Sequence, residues 1–331
     1  MSAAEYLAAL AVGDRGAAVE VVRRMQAAGA SPLEVMNDVI APAQQRVGEL
    51  WASDEWSVAQ EHAATAVSET VLGLMGALVP APVDPSGPVV VTCVEQEWHA
   101  LPALLVAEHL RTAGVPVSYL GANSSAEHLV RHVHEVGPRA VALSCSLSAS
   151  LPRVRRQIEA VRATGTPVVV GGAAFDRDGR RAATLGATAF AVDGAAAVVA
   201  VRELPSATTP TPPLSHRRAG EGFAVHADRE ELTARLRPRI AGLGRDEPAG
   251  AGWPQALDDH LPHLVGCVAG ALVADDDSVL DDAVTWLEDV MAHRGAPSGT
   301  TPRVVEELAL VVREYPAASD LLSVRGASAT G

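Results

Sequence analysis

The sequence predicts a multidomain chain: a helical bundle, then a doubly wound α/β domain with a parallel five-stranded sheet, then an all-α region. Three observations carry this. Five short runs rich in β-formers, PVVVTCV, VPVSYLG, AVALSCS, TPVVVGG and ATAFAVDG, alternate with helical stretches between residues 88 and 203. These runs are mostly apolar instead of alternating, as strands buried on both faces of a parallel sheet must be. Residues 1–80 and 221–320 carry helical periodicity, and proline-rich segments mark the joints at 80–88 and in a linker at 204–220.

Each element has a local reason. In LAALAVGDRGAAVEVVRRMQAAG the helical pattern is interrupted at Gly13 and stopped at Gly29. Ser31-Pro32 supplies an N-cap and a first-turn proline for SPLEVMNDVIAPAQQRVGELW. Ser57-Val58-Ala59-Gln60 is a capping-box pattern that starts the next helix. In the α/β region LPALLVAEHLRTAG, SAEHLVRHVHEVG and LPRVRRQIEAVRATG read as crossover helices. Ligands of such sheets bind beyond the carboxyl ends of the strands, and His99 occupies that edge after the first strand. Beyond the linker, DREELTARLRPRIAGL, PQALDDHLPHLVGCVAGALV, SVLDDAVTWLEDVMAHRG and PRVVEELALVVREY read as amphipathic helices. Residues 321–331 are expected to be a disordered tail.

Composition excludes several functions. The 331 residues carry a formal net charge of −14, with no concentrated basic face, which argues against direct nucleic-acid binding. All 26 basic residues are arginine, so a Schiff-base lysine and a Walker lysine are both excluded. Cys93, Cys145 and Cys267 are odd in number and widely spaced, fitting no disulfide framework or zinc pattern. No secretory signal and no run near the ~18 apolar residues of a membrane span is seen, so a cytoplasmic protein is expected. The sequence offers no nucleophile–base pair or hydrolase metal spacing, so an enzyme acting alone is not expected.

The residues that point to a ligand sit at strand ends. Glu97-Trp98-His99-Ala100-Leu101-Pro102 follows the first strand, Ser144-Cys145-Ser146 the third, and Gly171-Gly172 the fourth. In this order they resemble the cobalamin-binding family, whose signature is Asp/Glu-x-His-x-x-Gly, then Ser-x-Leu, then Gly-Gly. Pro102 stands where the family has glycine, and Ser146 where it has leucine. The resemblance implies that His99 is the lower ligand of cobalt, displacing the cofactor's own dimethylbenzimidazole. Glu97 then orients the other imidazole nitrogen. Ser144 and Ser146 face the displaced base, and Gly171 and Gly172 admit close backbone approach.

Upstream, Trp51 is followed after nine residues by Glu61-His62. This spacing before a cobalamin-type domain resembles the light-sensing adenosylcobalamin proteins of the CarH type. The resemblance implies a four-helix-bundle cap in which Trp51, Glu61 and His62 contact the adenosyl group. A histidine often follows the tryptophan in that family; here Ala52 does, leaving His62 as the imidazole for any later upper ligation.

The whole arrangement resembles the photocobilins, in which such a module precedes a globin-like domain that binds the linear tetrapyrrole biliverdin. That resemblance assigns Trp253, Asp259, His260, His263 and Arg294 to a bilin, with Arg235, Arg237 and Arg239 as further candidates for its carboxylates. Cys267 lies in a buried-helix pattern, so non-covalent binding is expected. The function implied is a light sensor holding adenosylcobalamin and biliverdin, acting as a homodimer on a downstream protein, without direct nucleic-acid or membrane binding. Two other readings stand beside it: a corrinoid carrier of a methyltransferase system, and a light-independent cobalamin-sensing regulator working through protein contacts.

Overall fold

The structure, a computed structural model, describes residues 3–77, 79, 87–243 and 252–328. It opens with helices α1 (Ala3–Ala11) and α2 (Arg15–Ala27), the break between them falling at Gly13. α3 (Pro32–Val35) runs through a π-helical turn, Met36–Ile40, into α4 (Ala41–Ala52), and α5 (Val58–Gly76) follows. Ser31 and Ser57 both form complete capping boxes, each worth roughly 1 kcal/mol to its helix start. Packing contributes more. Tyr6, Leu10, Ile40 and Leu72 are at most 1% exposed, and burying one leucine or isoleucine side chain is worth about 1.5–3 kcal/mol. Leu101 and Leu104 of the following domain join the same core.

The sheet then alternates with helices: β1 (Val89–Cys93), α6 (Ala100–Thr112), β2 (Val117–Gly121), α7 (Ala126–Val136), β3 (Ala140–Ser144), α8 (Leu151–Arg162), β4 (Val168–Gly171), α9 (Arg180–Thr184), β5 (Ala189–Phe190) and α10 (Gly194–Glu203). The strands are parallel in the order β2-β1-β3-β4-β5. β1 and β3 are buried along their full length, which is why their sequences do not alternate. The order reverses between β1 and β3, so their carboxyl ends form the crevice where doubly wound sheets bind ligands. Among the described residues, no helix is long and apolar enough to cross a membrane.

The C-terminal helices are α11 (Arg218–Ala227), α12 (Arg229–Ile240), α13 (Trp253–Ala274), α14 (Ser278–His293), α15 (Thr300–Val311) and α16 (Pro316–Ser328). α11 begins inside the segment expected to be linker. Its Gly220 and Gly222 lower local helix propensity, but Gly222 is required by packing: a Cβ there would lie 2.7–3.0 Å from Val273, Leu272 and Ala269. The expected disorder from residue 321 is corrected as far as Ser328, because α16 continues and buries Leu321 and Leu322 at 4% and 1% exposure. Residues 329–331, and most of the 80–88 joint, lie outside the described residues.

The chain forms two compact units. One comprises Met1–Ser144, Val161–Gly172 and Thr188–Thr209; the other comprises Cys145–Ala160, Ala173–Ala187 and Pro210–Gly331. The second unit thus takes most of α8 and all of α9 together with the C-terminal helices. α13 lies against the short 3₁₀ turn Ser148–Ser150 through two glycines: a Cβ at Gly266 would meet Ala149 Cβ at 2.6 Å, and one at Gly270 would meet the Ser148 carbonyl oxygen at 2.4 Å. Arg181 of α9, 4% exposed, donates to Asp276 at 2.7 Å, Ser278 at 2.9 Å, Asp282 at 3.3 Å and the Ala174 carbonyl at 3.1 Å.

Candidate functional site

The loop after β1 is held rigidly before it presents anything. The Val94 N–H donates to the Ser144 carbonyl at 3.0 Å, and the Asn123 N–H to the Glu97 carbonyl at 3.0 Å. Gln96 sits at φ +62°, and its N–H donates to Asn123 Oδ1 at 2.8 Å. Glu97 is completely buried. Its Oε1 accepts from the His99 backbone N–H at 3.0 Å and from His99 Nδ1 at 2.5 Å. Fixing Nδ1 as the donor fixes the tautomer, leaving Nε2 with its lone pair on a side chain that is 55% exposed. The hydrogen bond to Glu97 raises the His99 pKa against the lowering effect of burial, and the charges of Glu97 and Glu61 add to the rise. The neighbouring Cys93 thiol, pushed up to about 12 chiefly by burial, is kept as a neutral thiol.

Beside this loop a cavity of about 210 Å³ lies between the sheet and helices α6 and α10. Val91, Ala142, Val169, Leu105 and Val106 make it largely apolar, and Ser144, Gly171 and Gly172 also line it. Gly171 is required by contact, since a Cβ would come within 2.5 Å of the Ala191 carbonyl oxygen; Gly172 is required by its φ of +109°. Ser146 is half-buried on the loop after β3, belongs to the second compact unit and is not among the residues that line the cavity. The cavity wall includes residues that sequence reading missed. His109 of α6 is bonded through Nδ1 to the Leu105 carbonyl at 2.8 Å and through Nε2 to Asn37 of the π-helical turn at 2.9 Å. Those two residues are 72 apart, and no local pattern announces such a pair.

Trp51 ends α4 half-buried, and Glu61 and His62 lie in the first turns of α5. His62 Nδ1 meets Glu61 Oε2 at 2.5 Å, and the Thr65 hydroxyl donates to Glu61 Oε1 at 2.8 Å. Thr65 also donates to Gln44 at 3.2 Å; Gln44 donates to Ser68 at 2.6 Å, as Tyr6 does at 3.1 Å. The Glu61 carboxylate is therefore the outer end of a chain of hydrogen bonds rooted in the helical core. Polar residues on an otherwise apolar helix face, Ser68 above all, were the available signal for this chain.

The C-terminal candidates do not form one cluster. His260 and His263 pack edge-on to Trp286, with ring centroids 5.0 and 5.7 Å apart. The His260 pKa is lowered by burial and by the Arg294 charge, against the raising effect of Asp259. Asp259 itself is exposed and accepts from Gln255 at 2.8 Å. Trp253 is core, 1% exposed with a buried and unpartnered Nε1, and lines a different cleft of about 370 Å³ with Arg237 and Leu257. Arg235 is paired with Glu314, Arg237 with Asp258 and Arg239 with Glu307, so none of the three is an idle cation. Cys267 is fully buried, its thiol pushed up to about 12 chiefly by burial.

A fixed imidazole with an available nitrogen is a transition-metal donor, and its carboxylate partner is the usual outer support. A largely apolar slot lies beside it, with Gly171 in its lining. A doubly wound domain with these features, preceded by packed helices, defines a corrinoid-holding class of protein. The comparisons agree: residues 3–75 and residues 87–202 each match a B12 binding domain. Residues 3–75 and 87–202 thus make up a cobalamin-binding module.

Over 147 residues the chain is 37% identical to the HTH-type transcriptional repressor CarH of Myxococcus xanthus, covering 43% of this chain and 48% of that one. It spans about half the length of that relative. The monomethylamine corrinoid protein of Methanosarcina barkeri superposes with a TM-score of 0.52 at 17% identity, over 60% of this chain and 96% of that one. That likeness is one of fold. A cobalamin-binding protein from Desulfitobacterium hafniense DCB-2 is 22% identical over 60% of this chain and 97% of that one, with a TM-score of 0.33.

Proposed function

We propose that the chain is a light sensor that binds adenosylcobalamin with His99 as lower ligand and Trp51, Glu61 and His62 around the upper face. The observation that carries this is the Glu97–His99 pair: a buried carboxylate holds Nδ1 and leaves Nε2 for cobalt. When bound, the cofactor supplies a cobalt–carbon bond that visible light cleaves. Trp51 provides a flat apolar lid, and the Glu61–His62 pair provides hydrogen-bonding groups for ribose and adenine. Ser144, Gly171 and Gly172 accommodate the displaced base. Because Glu61 is tied through Thr65, Gln44 and Ser68 to Tyr6, a change at the upper face reaches the helical core and biases it between two packings. The signal passes to a downstream protein through altered shape or homodimer contacts, and the net charge of −14 disfavours direct nucleic-acid binding.

The same proposal places biliverdin in the C-terminal helices, taken as globin-like. The His260–Trp286–His263 stack with Arg294, and the cleft under the unpartnered Trp253 Nε1, support it. The test is the absorption spectrum of protein loaded with adenosylcobalamin in the dark, before and after green light, with and without biliverdin. A lasting change on illumination, lost in His99→Ala, is expected, together with a red band when biliverdin is added. An unchanged spectrum would leave a corrinoid carrier or a light-independent sensor, and no red band would remove the bilin.

A further inference from the structure

Resting on the cobalamin reading, we infer that the cavity beside the sheet selects among corrinoids by their nucleotide base, taking dimethylbenzimidazole and rejecting adenine. At about 210 Å³ it is smaller than the roughly 300 Å³ at which drug-sized pockets begin. It therefore suits one fused-ring base and not a whole nucleotide. Its walls give such a base apolar surface: Val91, Ala142 and Val169 from the strands, Leu105 and Val106 from α6, Ala197 from α10.

Two of the polar side chains in the wall already hold partners within the protein. His109 uses Nδ1 on the Leu105 carbonyl and Nε2 on Asn37. Its ring is pressed so closely on Gly194 that a Cβ there would lie 2.4 Å from Cγ, which prevents the imidazole from swinging on that side. Asp193 uses Oδ1 to cap α10, accepting from the Ala196 N–H at 2.7 Å. Ser144, at the end of β3, is the remaining hydroxyl of the lining. Dimethylbenzimidazole presents two methyl groups and a benzene edge to this surface, and the ring nitrogen released from cobalt is its single polar ring atom left to satisfy. Adenine brings an exocyclic amine and two further ring nitrogens, most of which would be stranded. Stranding one or two buried polar groups corresponds to binding about a hundredfold weaker.

The experiment is equilibrium titration of the full chain, in the dark and followed by absorbance, with three corrinoids: cobalamin, the analogue carrying adenine as its base, and cobinamide, which has no base. The adenine analogue is expected to bind about a hundredfold more weakly than cobalamin. Equal or tighter binding of the analogue would overturn the inference. Cobinamide binding as tightly as cobalamin would also overturn it, since the cavity would then hold no base, while leaving His99 as cobalt ligand intact. If none of the three bound, the cobalamin reading itself would fall. Val169→Thr places a hydroxyl in the wall at nearly constant volume and is expected to narrow the ratio to about tenfold. Ala142→Ser repeats the test should that variant misfold, and an unchanged ratio in a folded variant counts against the wall as the source of selection.

Discussion

Replacing Glu97 tests whether the loop after β1 is a prepared ligand mount. Glu97 is fully buried and its Oε1 accepts both the backbone N–H and Nδ1 of His99, at 3.0 and 2.5 Å. Glu97→Gln keeps an acceptor of the same shape but removes the charge. A charge-assisted hydrogen bond is about twice as strong as a neutral one, so roughly 1 kcal/mol of orientation is lost, about fivefold in cobalamin affinity. Glu97→Ala removes both bonds and frees the ring, for which losses of about 10–100-fold in metal affinity are usual. Titration with cobalamin measures the affinity, and thermal unfolding shows whether the loop still folds. The reasoning is refuted if Glu97→Ala binds within about twofold of the parent while His99→Ala is impaired, because the imidazole would then need no carboxylate to hold it.

Two further outcomes concern the second compact unit. Arg181→Met removes the guanidinium from Asp276 Oδ2 and from the Ala174 carbonyl, in a site where Arg181 is 4% exposed, while Ser278 still donates to Asp276 Oδ1. Breaking a buried pair costs about 3–5 kcal/mol, and the exposure of Asp282 places this case near 3, readable as a lower urea midpoint; a midpoint shift equivalent to under about 1 kcal/mol would show the network to be solvent-screened. His226, 8% exposed with an unpartnered Nδ1, has its pKa lowered to about 4 by burial and by the charges of Arg153, Arg229 and Arg156. Its folded pKa lies below the unfolded value, so the group costs nothing above pH 6.5 and destabilises as pH falls from there towards 4. Between pH 7 and 5 the loss is about 2 kcal/mol. Urea unfolding at both pH values should show that loss shrinking in His226→Gln, and an identical pH dependence in the two proteins would contradict it.

Much of the fold is written in residues that are neighbours in the chain. Ser31-Pro32 and Ser57 start helices because a hydroxyl and the N–H groups it caps lie within one turn. The five β-rich runs form a parallel sheet because strands without a polar face must be covered on both sides. Glu97 and His99 meet because they are two residues apart on one turn. α11 was hidden because its glycines argue against a helix locally, while the closeness of Leu272 and Val273, some fifty residues on, demands them. α16 was hidden because only the burial of Leu321 and Leu322 turns a weak pattern into a helix.

The candidate site divides in the same way. That a histidine follows the first strand, and that serine and glycines close the third and fourth, is legible from order alone. Tertiary structure decided that Glu61 stands close enough to His99 for its charge to be felt, and that Asn37 closes the wall behind His109. It also decided that Trp253 and Trp286 serve separate places. Local sequence dictates backbone conformation because capping, periodicity and turn chemistry act over a few residues. Which side chains face one another across a cavity depends on how whole elements pack, and no short stretch of chain carries that information.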